Sequence, residues 1–512
     1  MVNKPYLLGV DLGTTGTKAA LYLSDGTLVS EGRADVPISH PQPGCVEQDS
    51  DDFYRSAVEA VRQCLAACSV DPAKIAGVAF DSQMAGLGTI DDHFRPATRF
   101  DSWLDMRCQP YIEELGHKHA DRITALTGCP PTCDHGPKIL WWMHERPEEY
   151  QHIAKFVMPA CYVAGKITGL RADQAFIDYT FLHFTALADA EHGTWSRELI
   201  ELLGVDAARL PRIVAPWEVV GEVQMQAAAE FGLAPGTPVA AGCGDTAAGA
   251  LGAGVVAPGM LLDTAGTAAV LACCTDRYVA DRENRALLTM RSVVPGVWNP
   301  LAYIAGGGLA LRWFRDNFLN PRGNTTADAS GLYERMIEFA ERAPAGCDGL
   351  LFCPHLGGRI CPAAPTMRGA WVGFSWGHKQ EHFFRAILES IGYEYSYYLR
   401  ILRGLSSRQP LIEARVIGGG AQSGSWNQMK ADILGVPYRK VLRAESATWG
   451  AALIAGKASG VIGDLAQAAL ASAPVSEELL EPGAKLREVY AGAFERYLCW
   501  QQRLQKGFEH DA

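Results

Sequence analysis

The stretch Tyr6-Leu7-Leu8-Gly9-Val10-Asp11-Leu12-Gly13-Thr14-Thr15-Gly16-Thr17-Lys18-Ala19-Ala20-Leu21-Tyr22-Leu23 carries the reading of the fold. An apolar run, a turn of glycines and threonines and a second apolar run spell strand, turn, strand, which is a hairpin. The two glycines and three threonines of the turn present backbone N–H groups and hydroxyls, the chemistry that holds phosphate oxygens where no large basic patch exists. Asp11, at the end of the first strand, could carry Mg²⁺ through water. An ordinary Gly/Thr hairpin has the same pattern, so the turn is read with the rest of the chain. Asp25-Gly26 turns the chain into a third strand, Thr27 to Ser30.

Moving outward, Asp49-Ser50-Asp51 caps a helix whose Phe53, Ala57, Val58, Val61 and Leu65 share one face. The strand Ile75 to Phe80 then runs into the polar turn Asp81-Ser82-Gln83-Met84-Ala85-Gly86, at a strand's carboxyl end, where open α/β sheets bind ligands. In Trp103-Leu104-Asp105-Met106-Arg107 the acid and the base either clamp hydroxyls of a polyol or pair with each other, and the spacing favours the pair. Helical segments at Lys138 to His144 and Arg197 to Leu203 alternate with strands, so the first half is α/β. Near the middle stands Ala241-Gly242-Cys243-Gly244-Asp245-Thr246, whose glycines let backbone approach a ligand closely. Asp245 has no basic neighbour in sequence. It reads either as a general base or metal ligand, or as a strand-end residue capping the next helix through Thr246 and Ala247.

The second half repeats these themes. Asp263-Thr264-Ala265-Gly266-Thr267 is a second small Gly/Thr turn after Met260-Leu261-Leu262. Gly306-Gly307-Gly308 opens an amphipathic helix, 320–329 is turn-rich, and a Pro/Gly-dense segment from Pro354 to Gly373 precedes a helix from Glu381 to Leu402. Arg415-Val416-Ile417 is a buried strand ending in Gly418-Gly419-Gly420-Ala421-Gln422-Ser423, bare backbone on which a flat base or ribose can lie. Ser423 stands where the third glycine of a dinucleotide fingerprint belongs, so that chemistry is rejected. Gly165-Lys166 and Gly456-Lys457 are each followed by the wrong residue for a Walker loop.

Composition narrows the partners. A net charge of −11 without long single-sign runs argues against nucleic acid, so any phosphate must be held locally. Fourteen irregularly spaced cysteines read as reduced thiols, and Cys129, Cys133 and His135 lack the second ligand pair of a metal site. The uncharged window Thr246 to Leu262 suits a glycine-rich core better than a bilayer span. Pro5 and Asp11 interrupt any basic-then-apolar leader, so the expected location is cytoplasmic, with no membrane partner.

Taken together and in this order, these motifs resemble those of the FGGY family of carbohydrate kinases over nearly the whole chain, and within it the xylulokinase pattern fits best. Asp11 to Lys18 is similar to the family's first phosphate motif, Trp103-x-Asp105-x-Arg107 to its sugar-side motif and Gly242 to Gly254 to its catalytic segment. Asp263 to Thr267 resembles its second phosphate motif, and Gly418 to Asp432 its adenosine signature. The resemblance implies an α/β fold of two actin-like (ribonuclease H-like) domains with a central cleft and hinge. Residues 1–246 would bind the sugar, residues 247–480 would bind ATP, and 481–512 would form a C-terminal helix and tail. It implies ATP and Mg²⁺ as cofactors, a sugar or polyol as substrate, and Asp245 as the base, with Asp11 and Asp245 near the metal. Gln83, Met84, Trp103 and Asp105 would face the sugar. Gly13, Thr14, Thr15, Lys18, Gly266 and Thr267 would face phosphates, and Gly308, Gly419, Gly420, Ala421 and Asn427 would serve the nucleotide.

The chain departs from the xylulokinase pattern in three places. Ala85-Gly86 stands where His-Gly is usual, the Gly357-Gly358-Arg359-Ile360-Cys361-Pro362 loop lacks a carboxylate, and Arg171 to Thr180 keeps Asp173 but not its usual small neighbours. D-xylulose, converted to D-xylulose 5-phosphate, is the leading substrate. Ribulose, L-xylulose, erythritol or glycerol types are the alternatives, along with a non-catalytic module that binds nucleotide and sugar. A homodimer is carried as an open option.

Overall fold

The computed structural model describes residues 6–319, 336–406 and 409–510. The turn-rich segment expected at 320–329 lies outside the described residues, as does Pro5. β1 (Tyr6–Leu12) and β2 (Gly16–Leu23) form the expected hairpin, pairing antiparallel from Tyr6 opposite Leu23 to Leu12 opposite Thr17. β3 (Leu28–Asp35) runs antiparallel to β2 and outlasts the run read as strand, because Glu31, Arg33 and Asp35 alternate outward from a half-buried strand. Helix α1 (Ser50–Ala66) covers this hairpin with Phe53, Ala57 and Val61, and Asp49 caps it by accepting the N–H of Asp51 at 2.9 Å.

β4 (Ile75–Ser82) lies parallel to β1 with all eight residues buried, so Asp81 and Ser82 belong to the strand and not to the turn after it. β5 (Val219–Glu222), β6 (Pro238–Ala240) and the short β7 (Cys243–Gly244) complete a sheet in the order β5-β6-β4-β1-β2-β3, with β7 beside the end of β4. Helix α2 (Asp245–Gly252) leaves this sheet for the second one.

The second sheet contains β8 (Met260–Ala265), β9 (Ala269–Cys273), β10 (Leu288–Arg291), β11 (Trp298–Ile304), β12 (Glu413–Ile417) and β13 (Tyr438–Lys440), in the order β10-β11-β9-β8-β12-β13. Its centre repeats the first sheet. In each, a strand makes a hairpin with the next, a third antiparallel strand follows, and two parallel strands lie on the other side of the first. The turn expected at 263–267 is shorter than its motif: Asp263, Thr264 and Ala265 are strand, and only 266–268 bend.

Around this sheet lie α3 (Gly307–Phe314), α4 (Gln380–Leu405), α5 (Gly424–Leu434) and α7 (Arg487–His510). Tyr490, Phe494 and Tyr497 of α7 are buried, and Tyr490 receives a hydrogen bond from Arg385 of α4 at 2.9 Å. The carboxylate missing from the 357–362 loop is supplied by α4: Glu394 pairs with Arg359 at 3.1 Å and with His355 at 3.3 Å. Burial alone would raise the Glu394 carboxyl, yet those two groups hold it down at about 2.

Helix α6 (Ser446–Ala458) crosses to the first sheet, although the resemblance counts it with the second unit. A Cβ on Gly9 of β1 would meet the Thr448 carbonyl oxygen at 1.9 Å, and one on Gly450 the Ala248 oxygen at 2.0 Å. Glycine is therefore what lets α6 touch both β1 and α2 backbone to backbone, setting the crossing between the two halves. Among the described residues no helix is long and apolar enough to cross a membrane.

Candidate active site

Sheet register brings together residues far apart in sequence. Asp81 of β4 sits opposite Asp11 of β1 on one side and Cys243 of β7 on the other. Paired strands lie about 4.8 Å apart, so Asp11, Asp81 and the chain leading into Asp245 stand side by side at the carboxyl ends of parallel strands. Asp245 is the first residue of α2, and its Oδ1 accepts the N–H and the hydroxyl of Thr246 at 2.5 and 3.1 Å. Gly244 occupies the cap position, and the capping expected of Asp245 is met only in part: it takes the N–H of Thr246 from one residue inside the helix. The glycines of this stretch also serve a different purpose from the one the sequence implies. Gly242 adopts φ 79°, and a Cβ there would lie 1.7 Å from the Phe80 carbonyl oxygen, while one on Gly244 would lie 2.5 Å from the Met84 sulfur. They make room for the protein's own neighbours.

The site is acidic, with Asp81 buried and Asp11 and Asp245 half-buried. Burial first, and the charge of Asp11 second, push the Asp245 carboxyl up to about 7 against the pull of the Thr246 donors. Burial likewise raises Asp11, opposed by Lys18, and raises Asp81 well above the usual carboxylate range, with Asp11 and Asp245 adding to it. Among the described residues no three His, Cys, Asp or Glu side chains could hold a metal ion unaided.

Two residues that sequence reasoning passed over anchor the backbone just before Asp245. The N–H of Gly244 donates to the Thr180 hydroxyl at 3.0 Å, and that hydroxyl donates to Asp178 at 2.6 Å. Asp178 is buried and pushed up to about 7, chiefly by that burial. Asp173, which the sequence kept from this segment, is a surface residue paired with Arg171 at 3.1 Å.

The first Gly/Thr turn is tied to the Trp103-x-Asp105-x-Arg107 segment. Trp103, 39% exposed, donates its indole N–H to the Thr14 hydroxyl at 2.9 Å. Thr14 donates to Gln83 at 3.4 Å, and Gln83 in turn donates to Gln48 at 2.9 Å, a further residue with no sequence signal. Thr14 and Thr15 lie at the accessible tip, while Gly13 closes the turn onto the Gly16 carbonyl at 3.1 Å. Lys18 points elsewhere: its ammonium meets Glu445 at 2.8 Å. Met84 packs on Gly244, and Ala85 holds φ 60°, uncommon for a residue with a side chain.

Asp105 is also engaged internally. It accepts from Arg107 at 2.9 Å and from the N–H of Val46 at 2.7 Å, and Arg107 further pairs with Asp101 and Glu47 at 2.6 and 2.8 Å. This is the pairing that the spacing favoured. With three acids around one guanidinium, burial pushes Asp101 up to about 7 against the pull of Arg107.

On the second sheet a cavity of about 840 Å³ opens over Gly266, Thr267, Gly308, Gly419 and Gly420, with Leu311 and Phe384 as apolar wall. That volume falls within the range of small-molecule sites, about 300–1,000 Å³. Gly308 donates its N–H to the Gly266 carbonyl at 3.0 Å, fixing the turn over α3. Ala421 and Asn427 are buried behind the glycines, where the Asn427 amide donates to the Ala421 carbonyl at 2.9 Å. Asp263 is withdrawn altogether, paired with the buried Lys430 and accepting from Tyr395 at 2.8 Å.

Comparison with known proteins places this arrangement. The N-terminal domain of the FGGY family of carbohydrate kinases matches residues 6–252, and its C-terminal domain matches residues 262–459. The xylulose kinase of Bacillus subtilis (strain 168) is 27% identical over 89% of this chain and 88% of its own. The gluconokinase of the same organism is 28% identical over the same shares. The solved structure of ligand-bound xylulose kinase from Lactobacillus acidophilus, 22% identical, superposes with a TM-score of 0.90 over 99% of this chain and 100% of that one. The fold is thus the two-domain actin-like one.

Proposed function

Because the chain belongs to the FGGY family of carbohydrate kinases, ATP-dependent phosphotransferases with an alcohol group as acceptor, we propose that it phosphorylates D-xylulose to D-xylulose 5-phosphate, with Asp245 as general base. The observation that carries this reading is the placement of Asp245 at the start of α2, beside Asp11 and close to neutrality in its proton affinity. A base tuned near pH 7 can take a proton from a hydroxyl and still be regenerated. The substrate oxygen attacks the γ-phosphorus as its proton passes to Asp245, the bond to the β-phosphate oxygen breaks, and ADP leaves.

The Thr14-Thr15 and Gly266-Thr267 tips face the phosphates, and the bare glycines 419 and 420 receive the adenosine. Residues 1–246 serve as the sugar unit, 247–480 as the nucleotide unit and 481–512 as a terminal helix, with α6 reaching back across the first sheet. Gln83, Met84 and Trp103 border the sugar, while Asp105 acts through Arg107. The orphaned oxygens of Asp81 beside Asp11 fit a cation, and Mg²⁺ bound there with the nucleotide would neutralise phosphate charge during transfer. The proposed location is cytoplasmic, and a homodimer stays the open option that light scattering tests.

The xylulose and gluconate relatives match equally well, so substrate is decided by assay. Coupled ADP release is measured with D-xylulose, ribulose, L-xylulose, erythritol, glycerol and gluconate, each with ATP and Mg²⁺. D-xylulose is expected to give the highest kcat/KM. A better rate on another of these replaces xylulose, and no sugar-dependent release above the Asp245→Ala background removes the kinase reading.

A further inference from the structure

Asp81 is 0% exposed, and neither of its carboxyl oxygens has a hydrogen-bond donor among the described residues. Its carboxyl stands beside Asp11 across the β1–β4 register, and Asp245 adds a further negative charge from the start of α2. Cys243, its partner across the β4–β7 pairing, is fully buried and brings no charge. The nearest cation, Lys18, stands across the β1–β2 pair from Asp11 and already holds Glu445. A buried carboxyl with no donor is costly, and an apolar side chain of similar size would remove that cost. The position therefore makes physical sense when something positive arrives to meet it.

We propose that Asp81 is a direct ligand, together with Asp11, of the divalent cation that accompanies the nucleotide. This rests on the kinase reading and adds a protein ligand to it. Two carboxylates do not complete an octahedral shell, and phosphate oxygens and water supply the remainder. This arrangement also divides labour in the cleft: Asp81 and Asp11 serve the cation from adjacent strands, leaving Asp245 free for the substrate proton.

The test uses Mn²⁺ as the probe and needs no turnover. Electron paramagnetic resonance measures Mn²⁺ bound to the full chain with saturating ADP, for the wild type and for Asp81→Asn, which keeps the shape and removes the charge. Asp81→Asn is expected to weaken ADP-dependent Mn²⁺ binding about tenfold or more, while ADP affinity in EDTA stays unchanged. In EDTA its melting midpoint is equal to or above that of the wild type, and added Mg²⁺ with ADP raises the wild-type midpoint more than the variant's. Asp81→Cys supplies an independent arm, since a thiolate at a ligand position shifts preference from Mn²⁺ toward Cd²⁺. Mn²⁺ held equally by wild type and Asp81→Asn, or a Cys variant with the wild-type Mn²⁺/Cd²⁺ preference, overturns the assignment and leaves the kinase reading standing. A wild type with no ADP-dependent Mn²⁺ binding overturns both.

Discussion

Two hairpins of similar sequence, Asp11-Leu12-Gly13-Thr14-Thr15 at the end of β1 and Asp263-Thr264-Ala265-Gly266-Thr267 at the end of β8, put their aspartates in opposite surroundings. Asp11 faces two other acids in the cleft, and the nearby Lys18 ammonium is committed to Glu445. Asp263 is sealed in the core against Lys430, whose ammonium also lies 4.6 Å from the Trp426 ring. The difference begins with one residue of spacing. Asp11 stands two positions before the glycine of its turn and Asp263 three, and since side chains alternate along a strand the two carboxyls leave opposite faces. Thr264, not Asp263, therefore occupies the cleft-facing place in the second hairpin, and it is partly accessible. An acid serves chemistry or structure according to the face it leaves by and to whether a distant cation waits there.

The cleft side of this contrast breaks most completely at its third acid. Asp245→Ala should lower kcat about a thousandfold, toward the upper part of what a general base contributes, with little change in melting temperature. A variant within tenfold of wild type would falsify the role of Asp245. The core side breaks at Lys430. Lys430→Met leaves Asp263 buried and unpaired and should cost about 3–5 kcal/mol in urea unfolding, and adding Asp263→Asn should recover much of it. Asp11→Asn should do the reverse, abolishing most activity while leaving stability equal or higher. If both single variants lose stability to the same extent, the two hairpins are equivalent after all.

The contrast sharpens with pH. Asp245 must be unprotonated to accept a proton, so with its carboxyl raised to about 7, kcat/KM should fall about tenfold per unit below pH 7 and level off above it. A profile flat from pH 5.5 to 8 contradicts this. The smallest effect is expected at Thr180. Thr180→Val removes the acceptor for the Gly244 N–H and should lower kcat about tenfold with KM nearly unchanged, consistent with about 1–3 kcal/mol for a buried group left unpaired. Thr180→Ser should restore it. A Ser variant as slow as Val would assign the loss to packing.

Local patterns were legible where local forces decide. The helix read at Arg197 to Leu203 matches end to end, with Ser196 capping it and Gly204 ending it in the left-handed region. The β1–β2 hairpin and α1 follow in the same way from apolar spacing and a capping Asp. β3 outruns its apolar pattern because its outward side chains are charged, and β4 because its last two residues are polar yet buried. Gln48, Asp178 and Thr180 carried no signal, since each matters only through a partner brought in from another segment. The loop around Arg359 looked short of an acid only because Glu394 lies beyond it on α4.

Order and spacing along the chain were enough to determine the duplicated α/β plan, the two Gly/Thr turns and the family, because these arise from hydrophobic alternation and turn chemistry among neighbours. Which aspartates face the cleft, which glycines serve packing and which cations are already committed was decided only in three dimensions. Burial and charge act through space, so the proton affinity of Asp245 depends on Asp11, and the charge of Asp263 is balanced by Lys430, residues that no local pattern connects.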